Sequence, residues 1–79
     1  MFDPAKFKVG TRVQVADQPT LEDFFRTWKY HHQLTEEQLR FAGAKAEVKS
    51  VGMYHGGDML YELNGAPGIW HERLLQPIE

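Results

Sequence analysis

From residue 44 onward apolar side chains recur at every second position, and that alternation, broken twice by glycine, commits the second half of the chain to β-structure. Residues 44–54, 59–64 and 69–71 read as three consecutive antiparallel strands, separated by Gly56-Gly57 and by Asn64-Gly65-Ala66-Pro67-Gly68. A Gly-Gly pair suits a two-residue hairpin turn. It would set Tyr54 opposite Met59, Gly52 opposite Tyr61 and Ser50 opposite Leu63, with Trp70 facing Leu63 from the next strand.

The first half carries different signals. Thr11-Arg12-Val13-Gln14-Val15-Ala16 alternates polar and apolar residues, which predicts a first strand with Val13 and Val15 inward. Thr20 then reads as a helix N-cap with Asp23 at the capping-box position, followed by Leu21, Phe24, Phe25 and Trp28 as one apolar stripe. A second helix starts at Thr35, which forms a capping box with Gln38, while Leu34 is placed to staple onto Leu39 and Gly43 supplies a left-handed stop. Residues 20–42 are therefore expected as two short helices inserted between strands. Near the end of the chain, Glu72-Arg73-Leu74-Leu75 suits a 3₁₀ turn, and Gln76-Pro77-Ile78 an edge strand where proline's missing donor is tolerated.

Composition narrows the possibilities further. The chain has 79 residues and no cysteine, so no disulfide, thiolate zinc site or thiol nucleophile is available, and stability must come from packing or self-association. Ten aromatics supply the burial capacity. Nine Lys and Arg against eleven Asp and Glu leave no basic excess for phosphate neutralisation, which argues against a nucleic-acid partner. Lys45, Lys49 and Arg12 read instead as a solvated strand face. No stretch approaches the roughly 20 apolar residues of a membrane helix, and the start lacks the order of a signal peptide. The expectation is a single domain over residues 1–79, located in the cytoplasm, with no membrane partner and no cofactor.

Strand, helical insert, three-strand meander, 3₁₀ turn and short last strand is the order of a five-stranded SH3-like barrel, here mainly β with an α insert in the first long loop. Phe7-x-x-Gly10-x-x-Val13, Ala46-Glu47-Val48 leading to Leu60-Tyr61-Glu62-Leu63, and Trp70-His71 followed by Leu74-Leu75 carry that pattern. They resemble the C-terminal barrel of the nitrile hydratase β-subunit. In that family the barrel assists a catalytic subunit whose metal-binding cysteines lie on another chain, so the resemblance implies an accessory role. The chain is also similar in length and barrel order to type II dihydrofolate reductase. The Val-Gln-Ile-Tyr that lines that enzyme's pore is absent, with Gly68-Ile69-Trp70-His71 in its place, and the activity is not carried over.

Several residues have the chemistry for a site. His55, Asp58, His71 and Glu72 invite a metal reading, but the expected register separates His55 from His71 by four residues of strand, about 13 Å, too far for shared coordination. No metal site is expected. His55-Gly56-Gly57-Asp58 offers an imidazole and a carboxylate around glycines that permit close approach, or simply a hairpin turn. Trp70, His71 and Glu72 beside Tyr61 and Tyr54 resemble the aromatic groove with which SH3-like barrels grip peptides, although Tyr54, Met59, Tyr61, Leu63 and Trp70 also suit a core face with Ala46 and Val48. His31 and His32 fall near the end of the first helix, where they complement its dipole or face solvent.

Val51, Met53, Leu60 and Ile69 project opposite that core set, leaving a second apolar face that must be covered by the Phe24, Phe25 and Trp28 stripe or by another subunit. No catalytic constellation emerges. The sequence thus points to a non-catalytic protein-interaction module, working as a homo-oligomer or accessory subunit. The alternative is a small-molecule binder or small enzyme with its site in an oligomer or helix–barrel cleft.

Overall fold

The computed structural model describes residues 5–30, 32–53 and 59–78. In chain order these form β1 (Arg12–Val15), α1 (Gln18–Thr27), α2 (Glu36–Leu39), β2 (Lys45–Met53), β3 (Met59–Asn64), β4 (Ala66–His71), a 3₁₀ turn (Glu72–Leu74) and β5 (Leu75–Pro77). All five strands join one antiparallel sheet in the order β4-β3-β2-β1-β5. The sheet is open, with β4 and β5 as its two edges, so the closed barrel expected from the element order is not formed among the described residues.

Local chemistry accounts for each element. Val13 and Val15 are buried on β1, as their alternation with Arg12 and Gln14 requires. The α1 N-cap is Asp17 rather than Thr20: the Asp17 side chain accepts from the Thr20 N–H at 3.1 Å, a bond that lowers its pKa. Starting there places Pro19 in the first turn, where its missing donor costs nothing. The helix buries Leu21 and Phe24, with Phe25 and Trp28 packed against the core at its margin. It ends at Thr27, so His32 lies beyond it in a loop, at φ 49°, and does not serve as a helix-terminal charge. His31 lies outside the described residues.

The Thr35 and Gln38 capping box forms as expected, and Leu34 and Leu39 both join the core, but α2 is a single turn. Gln38 then reaches further than a cap. Its Oε1 accepts from Thr35 N–H at 2.9 Å while its Nε2 donates to the Ile69 carbonyl, also at 2.9 Å. An amide from α2, and not another strand, therefore occupies that position on β4.

The hairpin register differs from expectation by one residue. Met53 faces Met59, Gly52 faces Leu60, Val51 faces Tyr61 and Ser50 faces Glu62, after which an irregularity between Val48 and Ser50 brings Val48 opposite Leu63. The expected Tyr54 and Met59 pair and the Gly56-Gly57 turn lie outside the described residues. A slip of one residue moves a side chain to the other face of the sheet. Val51 accordingly packs against the core with Tyr61, where an outward position was expected. On β4 the strand begins at Ala66, inside the expected five-residue connection, rather than at Ile69, Trp70 faces Tyr61 instead of Leu63, and His71 faces Leu60. Gly65, at φ 107°, makes this tight connection possible.

Candidate interaction site

The residues expected to form an aromatic binding groove are dispersed by the strand alternation that joins them. Trp70 is fully buried at 0% exposure, in the core, and its indole N–H has no hydrogen-bond partner among the described residues. It is a packing residue and not a groove wall. His71, next in line, points the other way. It is 2% exposed, with its ring 4.9 Å from that of Phe24 and 5.0 Å from that of Trp28. Its Nε2 lies 2.9 Å from the His32 carbonyl; a carbonyl oxygen only accepts, so Nε2 carries the proton of this bond.

Glu72 diverges again, toward the N-terminal segment. Its Oε2 accepts from the Tyr61 hydroxyl at 2.5 Å and from the Lys6 N–H at 3.0 Å, while the Tyr61 oxygen accepts from the Phe7 N–H at 3.3 Å. Phe7 is buried edge-on against Tyr61, 5.6 Å between centroids. The carboxylate therefore fastens residues 6–7 to the sheet. Tyr54, His55 and Asp58, the other three candidates, lie outside the described residues.

Burial, reinforced by the hydrogen bond to Glu72, pushes the Tyr61 phenol up from its ordinary value near 10 to about 12. The folded state thus holds a proton that the unfolded chain releases first. Stability from this source is complete below about pH 10 and falls as the pH rises toward about 12. Tyr61→Phe is expected to cost about 1–2 kcal/mol at neutral pH, by leaving the Phe7 N–H unpaired, and to flatten the stability profile between pH 10 and 12 in urea titrations.

A different set of residues does converge. Val51, Met53, Leu60 and Ile69, the four expected to make a second apolar face, all line one open groove of about 330 Å³ crossing β2, β3 and β4. His32, Ser50, Gly52, Tyr61 and Glu62 complete its lining. Register places Leu60 and Ile69 on the side of the sheet away from Trp70, whereas Val51 and Met53, both expected there, are on Trp70's side and reach the groove from its margin. Leu60 is buried, Ile69 half-buried, and Met53 stands 65% exposed. The Ser50 hydroxyl donates to Glu62 Oε1 at 2.7 Å.

Two features of this surface were not anticipated. Gly52 sits inside β2 with ordinary backbone geometry, and a Cβ built there meets nothing within 4 Å. A glycine inside a strand was the available signal. The second is a smaller concavity of about 230 Å³ between α1 and the 3₁₀ turn, where the Arg73 guanidinium lies 5.1 Å over the Trp28 ring and Tyr30, 71% exposed, packs edge-on against it. Trp28 was legible only as part of the helix stripe.

Both sheet edges are ill-suited to strand addition. Pro67 and the bond from Gln38 to Ile69 interrupt β4, and Pro77 interrupts the three-residue β5. The basic strip is interrupted too, since Arg12 faces Glu47 directly across the strands and Lys45 faces Gln14. Among the described residues no helix is long and apolar enough to cross a membrane. No protein-family model matches this chain, and no curated protein matches it.

Proposed function

We infer that this chain is a non-catalytic protein-interaction module, an open variant of an SH3-like barrel, whose docking surface is the groove over β2, β3 and β4. One observation carries the reading: Leu60 and Ile69, from neighbouring strands, line a single concavity together with Val51 and an exposed methionine, Met53. Apolar concavities rimmed by polar groups are the usual mark of an interaction site on a small domain. The blunted edges support docking through side chains on a face rather than by main-chain pairing. The dispersal of His71 and Glu72, one packed on Phe24 and Trp28 and the other engaged by Tyr61 and Lys6, gives a small-enzyme reading no converging acid and base from that pair.

The test places a photo-crosslinking amino acid at Met53, on the groove, and at Glu22, on the exposed side of α1, in the protein produced in its own host. Position 53 is expected to give a discrete polypeptide adduct that position 22 does not, with mass spectrometry identifying the partner as a second copy or another chain. No adduct at 53, or the same adducts at both positions, overturns the reading. Light scattering across a concentration series provides the second arm. If the partner is a second copy, Met53→Lys is expected to shift the native mass from dimer or higher oligomer to monomer.

A further inference from the structure

Resting on that reading, we propose that the segment docked in the groove is basic: an aliphatic side chain lies over Gly52 and Leu60, and a neighbouring lysine or arginine pairs with Glu62. Three independent features lead there. The first is charge. Glu62 is the acidic residue of the groove lining, and it is held in place by Ser50 through one carboxylate oxygen. Among the described residues no Lys or Arg nitrogen comes within 4.0 Å of it; the ion pair that does form is Arg26 with Asp23, on α1. A carboxylate oriented by a hydroxyl, with no Lys or Arg of the described residues beside it, is prepared for a cation supplied from outside.

The second feature is Gly52. Its backbone needs no glycine, its missing Cβ would meet nothing of this chain, and glycine weakens a strand interior. Its absent side chain leaves the groove floor open directly opposite Leu60, at the depth where a partner's aliphatic group would sit. The third is the irregularity between Val48 and Ser50, which re-aims the strand just before the groove begins and sets Ser50 opposite Glu62. Together these define a pocket with an apolar floor and one anchored negative charge. The chain's net charge of −2 favours approach of a basic partner over an acidic one.

The experiment selects a randomised peptide-display library against the full-length protein, then compares binding of the enriched peptides to Glu62→Gln, Glu62→Lys and Gly52→Val. Glu62 is exposed and a Cβ at Gly52 has open space, so all three variants are expected to fold, with thermal melts as the check. Enriched peptides are expected to carry Lys or Arg beside Leu, Ile, Val or Met. Their affinity is expected to fall about fivefold for Glu62→Gln and beyond tenfold for Gly52→Val. Glu62→Lys is expected to prefer the same peptides with their basic residue changed to Glu. Peptides that lose binding to Gly52→Val but lack a basic residue, or bind Glu62→Lys as tightly as wild type, overturn the basic-partner inference and leave the docking surface standing. Enrichment of nothing, or only of peptides indifferent to Gly52→Val, overturns both.

Discussion

Trp70→Ala is expected to remove about 3–5 kcal/mol of stability, the range for emptying a fully buried large aromatic site. A chain of this length holds on the order of 4–12 kcal/mol in total, so the variant should give up a large fraction of its stability. The cost arises from position: Trp70 has no exposure and lies directly across from Tyr61 in the core. Trp70→Phe separates packing from hydrogen bonding. It keeps most of the ring and deletes an indole N–H that is buried without a partner, a donor whose burial costs about 1–3 kcal/mol. The phenylalanine variant is therefore expected to lose less than half of what alanine loses in urea unfolding. A loss below about 1 kcal/mol for alanine would instead return Trp70 to the surface role that its place beside His71 and Glu72 suggested.

Gln38 is expected to rank next. At 2% exposure its amide satisfies Thr35 N–H on one side and the Ile69 carbonyl on the other, so Gln38→Leu strands two polar groups and should cost about 2–4 kcal/mol. Gln38→Glu is the sharper probe. The carboxylate still accepts from Thr35 but presents an oxygen to the Ile69 carbonyl, so the charged form is disfavoured in the folded state and its pKa rises above the ordinary value near 4.3. The penalty is absent where the group is protonated in both states and grows as the pH rises through that value. The stability gap between Gln38→Glu and wild type is therefore expected to widen from pH 4 to pH 7 in urea melts. Gly68→Ala tests the same contact from the other side: a Cβ there would lie 2.8 Å from Gln38 Nε2, at a backbone φ of 84° that alanine resists. In a Gln38→Ala background the clash disappears, and the double variant should lose less than the sum of the two single losses.

The residues that could be read in advance are those whose meaning is local. The Thr35 and Gln38 box, the inward Val13 and Val15, the buried stripe of Leu21 and Phe24, the extent of β3 and the 3₁₀ turn before β5 each rest on spacing within a few residues. The start of α1 was missed because Asp17 and Thr20 are both competent caps, and what decides between them is where Pro19 falls. The hairpin register is not legible locally, because a Gly-Gly pair fits a two-residue turn that predicts Tyr54 opposite Met59. The observed pairing of Met53 with Met59 is displaced by one residue, enough to turn Val51 inward and put Gly52 opposite Leu60.

What spacing could not reveal were the long-range bonds. Gln38 to Ile69, His71 to His32 and Tyr61 to Phe7 join residues 31, 39 and 54 positions apart, and nothing in the neighbourhood of either partner announces the other. Of the second apolar face, the outward positions of Leu60 and Ile69 are legible in the sequence, those of Val51 and Met53 are reversed by the register, and Glu62 joins them only when the strands are assembled. For the same reason Trp70, His71 and Glu72 looked like one surface in sequence and became three environments in space.

β1 lies between β2 and β5, with Gln76 across from Gln14 at a sequence distance of 62. During synthesis this strand leaves the ribosome well before β5 and has no second neighbour until β5 has been made. The helices and the β2 to β4 meander can form from near-neighbour contacts, but β1 is completed only by closing that long loop, whose entropy is lost before the contact rewards it. The nascent chain therefore carries the apolar Val13 and Val15 with one flank unpaired until β5 follows, and the three residues of β5 fasten a strand made some sixty residues earlier.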